Sequence, residues 1–433
     1  MKPLLFSAAA LAAACFLLPG ARCLAASPQI TGAEAVAEGA GDGEHVSRVV
    51  LSYDAPIDAA SVTPDDYEVT GRTITRAYPV EGQDPASAAP KTGSYVVLEL
   101  APLPLVDSSV DTHPEDGPIA QRNAMGHMGP TLGSHGNPQP LPVMEAQVAQ
   151  VGLVKTTAGL LCAPSASQKT TSVRELVVED FQQAIFQDPA QGGAALAYNL
   201  YIPKNYNPEK RYPLVLFMHD AGAVSSDVKT TLVQGLGAIT FASPPEWQAE
   251  HPCFVLAPQY DTIIVNDLYQ HGPELERTMH LVKALTQQYA IDTDRIYNTG
   301  QSMGGMTSIE MDTAYPDVFA GSYLVACKWA ESSASALARQ HLWIVSSEGD
   351  AGAMPSMRAI LKDIEASGVT VRRQTISADR PEADINRDAA SLITPTCSIY
   401  QTIYEGGSHR STWQHAYRMT PALAWLFTQK RTH

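Results

Sequence analysis

The pentapeptide GQSMG at residues 300–304 sets a serine, Ser302, between two glycines. A G-x-S-x-G pattern carries weight only where a strand precedes it and a helix follows. RIYNT before it reads as a buried strand, and GMTSIEMDTAY after it reads as a helix. On such a turn the glycines remove side chains that would clash. The hydroxyl then stands at the sheet edge above a helix N-terminus, where developing negative charge is stabilised. The chemistry this arrangement suits is nucleophilic attack on a carbonyl. The competing reading is a glycine turn with an incidental serine, and the flanking context argues against it.

A serine hydroxyl is a poor nucleophile until a neighbouring base takes its proton. Behind a turn of this kind the acid and then the histidine follow the serine in the chain. Asp350 stands just beyond the strand-like HLWIVSS and before the helix-like SMRAILKDIEASG, which makes it the candidate acid, with Glu348 as the fallback. Asp312 and Asp317 lie too close to the turn, and Asp379, Asp384 and Asp388 fall in a charged segment read as exposed. His409, after SIYQTIYEGGS, is the candidate base, with His415 further on in a helix-like run as the alternative; His341 and His433 read as incidental. Acyl transfer also needs donors for an oxyanion. The N–H of Met303, next to the serine, is one candidate. Ala221 in HDAG, after the strand-like YPLVLFMHD, is the other. An inward carboxylate at Asp220 would repel an oxyanion, so that side chain is expected to point outward. Trp329, just past FAGSYLVAC, is the candidate substrate-binding aromatic, and Trp413 is read as a brace for the histidine loop. This chemistry needs no metal or organic cofactor.

The elements that must position these residues follow from texture. From about residue 172 to 433, strand-like and helix-like runs alternate, as in a mostly parallel sheet with helices on both faces, an α/β fold. Residues 27–165 differ: VSRVVLSYDAPI, DDYEVTGRTITRAYPV, SYVVLELAP and EAQVAQVGLV alternate apolar and polar residues between turn residues, the pattern of a small all-β sandwich. A Pro-, Gly- and His-rich stretch at 105–142 interrupts it. Asp107, Asp111, His113, Glu115, Asp116, His127 and His135 there lack fixed ligand spacing, and a long polar loop is the better reading than a metal site.

Residues 1–26 have the three parts of a secretory signal: Lys2, an apolar run at 4–18, and a small-residue site at Leu24, Ala25 and Ala26. The run is shorter than the ~20 residues of a membrane span. Export to the periplasm or beyond is the expectation. Cys162, Cys253, Cys327 and Cys397 then remain, and three disulfide pairings or free thiols are all open. The chain of 433 residues has net charge −16 and pI about 5.1. Such a surface repels phosphate backbones, so nucleic acid is excluded as a natural partner, and anionic membrane surfaces are disfavoured.

Taken together, YNLYIPKNYNPEKRYPLVLFMHDAG, AIDTDRIYNTGQSMGG, EGDAGAMP and GGSHRSTWQHAY resemble blocks of the α/β-hydrolase superfamily. The resemblance is to secreted esterases related to polyhydroxybutyrate depolymerases and feruloyl esterases. VTPDDYEVTGRTITRAY and YVVLEL resemble the immunoglobulin-like module of EstA-type esterases. The resemblance implies a serine carboxylic-ester hydrolase acting on a small or polymeric ester, with Ser302, Asp350 and His409 as a triad. A serine peptidase of the prolyl-oligopeptidase type and a non-catalytic surface- or carbohydrate-binding protein are the alternatives. For the β domain it implies shading of the active-site entrance or self-association into a homo-oligomer. Two departures from the family pattern stand out. Ser346-Ser347 replaces the usual His-Gly, and the His409 to Trp413 spacing is one residue longer.

Overall fold

The computed structural model describes residues 27–82, 91–105, 120–122, 128–136 and 140–431. The signal segment and most of the acidic and histidine residues of the 105–142 stretch lie outside these. No helix among the described residues is long and apolar enough to cross a membrane.

Among the described residues, the front of the chain forms, beside two small two-stranded sheets, two main ones. Strands β1 (Ile30–Ala40), β2 (Gly43–Ile57), β3 (Tyr67–Val69), β4 (Ile74–Val80), β5 (Gly93–Leu100), β6 (Gln147–Gln150), β7 (Gln168–Lys169) and β8 (Ser172–Glu175) carry them. One sheet has the order β8-β1-β2-β5-β4 and the other β7-β6-β3. Alternation along β2 explains the packing: Val49, Leu51 and Tyr53 point into the inter-sheet core, and Val50 joins Val36, Tyr78, Val80 and Val97 on the opposite face. The expected immunoglobulin-like sandwich is therefore present. Its edge strand β8 runs parallel to β1, so the chain returns to the first sheet after the point where the front domain was expected to end.

The larger domain holds a nine-stranded sheet. Its strands are β9 (Phe181–Asp188), β10 (Ala194–Tyr201), β11 (Tyr212–Met218), β12 (Phe254–Gln259), β13 (Ile291–Gln301), β14 (Gly321–Val325), β15 (Leu342–Ser347), β16 (Val371–Ile376) and β17 (Ile399–Tyr404), in the order β9-β10-β12-β11-β13-β14-β15-β17-β16. From β12 onward all pairs are parallel. Every residue of β11, β12, β14, β15 and β17 is buried, as a parallel sheet covered on both faces requires. Helices α1 (Pro273–Gln288), α2 (Met303–Ala314) and α3 (Ala353–Ala366) pack on the face of Leu214 and Leu216. Helices α4 (Glu382–Leu392), α5 (His409–Ala416) and α6 (Thr420–Phe427) pack on the face of Val215 and Phe217. This is the expected α/β fold.

Several contacts join the parts among the described residues, two of them through the backbone. The β1–β2 hairpin turns at Gly41 and Asp42 against residues 233–235 and Gln414. Gly133 and Ser134 exchange backbone hydrogen bonds with Ile263, in the loop after β12, at 2.8 Å each.

Candidate active site

Ser302 is the residue between β13 and α2, with φ 53° and ψ −119°. An L-residue avoids this region, so the surrounding structure must hold it there. Its N–H donates to the Val325 carbonyl at 3.0 Å, and its carbonyl accepts from Met306 at 2.9 Å. The glycines make the turn passable. A Cβ on Gly304 would stand 2.0 Å from the Met218 carbonyl oxygen, and one on Gly300 would stand 2.4 Å from the Gly304 carbonyl carbon. Helix α2 thus starts against the end of β11, beside the loop that carries Ala221.

The structure brings the three predicted residues together. Ser302 Oγ lies 2.9 Å from His409 Nε2, and His409 Nδ1 lies 2.6 Å from Asp350 Oδ2. The other carboxylate oxygen, Oδ1, accepts from the N–H groups of Gly352 at 3.1 Å and Ala353 at 2.9 Å. Burial alone pushes the Asp350 carboxyl up, but the His409 bond and these backbone donors outweigh it and hold the group below its ordinary value. An ionised carboxylate only accepts, so Nδ1 carries the histidine proton and the Nε2 lone pair faces the serine hydroxyl.

His409 is the first residue of α5. Ser408 caps that helix, its hydroxyl accepting from the Ser411 N–H at 3.1 Å while its own N–H donates to Ser411 Oγ at 2.7 Å. Trp413, one turn on, meets the imidazole edge to face at 5.1 Å between ring centres, the brace expected of it. Ser347, part of the departure from His-Gly, hydrogen-bonds Thr412 in the same helix at 2.6 Å. The two fallback residues have other partners. Glu348 is exposed and accepts from the Gly406 N–H at 3.2 Å. His415 packs on the Tyr404 ring.

The oxyanion candidates can be followed through their donors. Gly222 N–H goes to Asp220 Oδ1 at 2.7 Å, Ala223 N–H to the Asp220 carbonyl at 3.2 Å, and Val224 N–H to the Ala221 carbonyl at 3.4 Å. Among the described residues, the N–H groups of Ala221 and Met303 meet no protein acceptor. His219 is fully buried, and its Nε2 accepts from the Tyr260 N–H at 3.0 Å. Its Nδ1–H therefore donates to the Asp220 carbonyl at 2.7 Å, and burial lowers its pKa and keeps it neutral.

Two expectations are corrected. Asp220 does not point outward: it is 9% exposed, and its Oδ2 accepts from Gln301 Nε2 at 3.1 Å, so its charge is matched by donors rather than by water. Trp329 does not face a groove. It is 3% exposed, with its indole N–H on Glu310 at 2.9 Å, and the ring that reaches solvent is Tyr269, edge-on to it at 5.4 Å. Gln301 was not singled out from the sequence, and its place between Gly300 and Ser302 was the sole signal. The four cysteines are buried free thiols. Of the loop residues read for metal ligation, His135 is described, and its Nδ1 lies 2.9 Å from the Asp261 carbonyl. Two cavities, of about 310 and 210 Å3, open at the opposite edge of the sheet and include none of the site residues.

Comparison with known proteins agrees with this architecture. Residues 32–163 match the family described as esterase Ig-like N-terminal domain. A thermostable esterase of known crystal structure is 25% identical, with TM-score 0.72 over 93% of this chain and 100% of its own. The feruloyl esterase module from Clostridium thermocellum is 16% identical over 58% of this chain and 89% of its own, with TM-score 0.38. A ferulic acid esterase from the fungus Anaeromyces mucronatus is 14% identical over 57% and 90%, with TM-score 0.39. No curated protein matches this chain. The chain thus joins an esterase immunoglobulin-like N-terminal domain to a domain with the α/β-hydrolase fold of esterases.

Proposed function

We propose that this protein is a serine carboxylic-ester hydrolase that works through an acyl-enzyme on Ser302. The observation that carries the reading is the continuous hydrogen-bonded chain from Ser302 Oγ through His409 to Asp350. His409 Nε2 takes the hydroxyl proton as Oγ bonds to the ester carbonyl carbon. The carbonyl oxygen becomes an oxyanion, met by the N–H groups of Met303 and Ala221. Collapse breaks the bond to the alkoxy oxygen, which leaves as the alcohol with the proton from His409. Water then repeats the sequence: it gives its proton to His409, attacks the acyl carbon, and releases the acid as Oγ regains its proton. Asp350 stays ionised throughout, orienting the ring and stabilising the imidazolium.

Residues 1–26 direct export in this reading, and the β domain, expected from the sequence at residues 27–165, runs on through β8 before the catalytic part begins. Self-association through the β domain belongs to the same proposal. The test uses the mature protein and its Ser302→Ala variant on nitrophenyl esters of graded acyl length, with a peptide nitroanilide alongside. Ester turnover that falls about 10⁴-fold or more in the variant is the expected result. Turnover retained by the variant, or hydrolysis of the anilide alone, overturns it.

A further inference from the structure

We propose that Asp220 and Gln301 form a positioning pair that sets the oxyanion loop, and that the tip of the β1–β2 hairpin holds this pair in place through Gln234. The proposal rests on the acyl-transfer reading above and names residues that reading does not use.

A buried carboxylate is costly unless donors satisfy it. Asp220 has a donor on each oxygen, Gly222 N–H at 2.7 Å and Gln301 Nε2 at 3.1 Å. The first bond fixes the short turn Ala221–Ala223 at its start. It also removes the Gly222 N–H as a donor to anything else, and the next two N–H groups are taken by the carbonyls of Asp220 and Ala221. Ala221 is then the residue of this turn whose N–H is left for a ligand. The second bond ties the turn to the residue that directly precedes the nucleophile. The distance between the two sources of oxyanion donors is thereby set by one side-chain pair.

Gln301 is 1% exposed, and its amide nitrogen has a second acceptor, Gln234 Oε1, at 3.4 Å. Gln234 sits in the segment on which the hairpin tip rests. A Cβ on Gly43 would lie 3.4 Å from the Val233 carbonyl oxygen, and one on Gly235 would lie 3.4 Å from the Gly41 carbonyl oxygen. On its other side the tip meets α5, the helix that starts with His409. A Cβ on Gly41 would stand 2.5 Å from the Gln414 carbonyl oxygen and 2.9 Å from its Cα. The tip is wedged between the support of the oxyanion loop and the helix of the base, and there is no room for a side chain at Gly41.

The test compares the full chain with Gln301→Ala, Asp220→Ala, the double variant, Asp220→Asn and Gly41→Ala. Steady-state kinetics on a nitrophenyl ester, inactivation rates with a phosphonate that mimics the tetrahedral state, and melting curves are read on each. Removing an oxyanion donor outright costs roughly 10²- to 10³-fold in kcat. A displaced donor is expected to cost roughly tenfold or more, with KM changed less than about twofold and phosphonate inactivation slowed in parallel. The double variant should be no worse than the poorer single one, because the pair acts as a unit. Asp220→Asn keeps an oxygen for the Gly222 N–H and should recover much of the rate lost in Asp220→Ala. Gly41→Ala should lower kcat in the same sense. Lower melting temperatures with unchanged kcat in the folded protein overturn the proposal, as does additivity in the double variant. Ser302→Ala is run in parallel: if it keeps turnover the acyl-transfer reading fails, and if it is inactive while Gln301→Ala is normal, this proposal alone fails.

Discussion

The N–H of Gly349, beside the candidate acid, donates to the carbonyl of Gly407, beside the candidate base, at 2.9 Å. Glu348 adds two more links between the same loops, its N–H to the Tyr404 carbonyl at 3.0 Å and its carboxylate to the Gly406 N–H at 3.2 Å. The backbone therefore sets the separation of Asp350 and His409 before their side chains meet.

That arrangement makes Asp350→Asn a clean substitution. The loops stay in register, but an amide N–H facing His409 Nδ1 favours the tautomer with its proton on Nε2, where it cannot accept from Ser302. The expected outcome is a drop in kcat of about 10⁴-fold with KM little changed. Steady-state kinetics check it, and a loss below tenfold would count against an orienting role.

Ser302 holds a backbone conformation that a side chain disfavours. Ser302→Gly and Ser302→Ala should both be inactive, yet the glycine variant should be the more stable by about 1 kcal/mol, because it alone relieves the strain. Urea unfolding of the two proteins measures the difference. An alanine variant as stable as the glycine one would show the turn to be unstrained.

Asp312, on α2, is fully buried, with Oδ1 accepting from Ser322 Oγ at 2.8 Å and Asn298 Nδ2 at 3.3 Å, and Oδ2 without a partner among the described residues. Burial raises its pKa from 3.8 to about 7. The native state thus binds a proton more tightly than the unfolded chain does. Its contribution is fully present below about pH 4, declines as pH rises toward 7, and is gone above that. Asp312→Asn cannot titrate, so its stability relative to the parent should improve between pH 5 and pH 8. Unfolding curves at the two pH values test this, and an unchanged difference would refute it.

The three candidate residues were more legible in the sequence than the groups that support them. Ser302, Asp350 and His409 each follow a strand, in the chain order expected behind a nucleophile elbow, so local pattern was enough to pick them out as candidates. The central strands were readable because both faces are buried and their composition is apolar throughout. The edge strands β9 and β16, with FQQAIFQD and VRRQTI, were missed because only the first and last residue of each is buried. Helix α4 was read as an exposed charged segment, although Ile385, Ala389 and Leu392 form a narrow buried stripe in it. Asp220 was misjudged because its partner, Gln301, lies far along the chain, and a carboxylate has no direction until its donors are known. Trp329 was misjudged for the same reason: Glu310, which fixes the indole, comes from the preceding helix.

Strand β8 also bears on how this chain can be divided. It pairs with β1, the first strand of the front sheet, and β9, the first strand of the catalytic sheet, begins only at Phe181. A catalytic part cut free at residue 166 or 172 would carry β8 as an orphan, a short strand whose partner has been discarded and whose backbone groups would seek another. The two units are better regarded as spliced than as strung together, and a cut that respects the splice falls in residues 176–180.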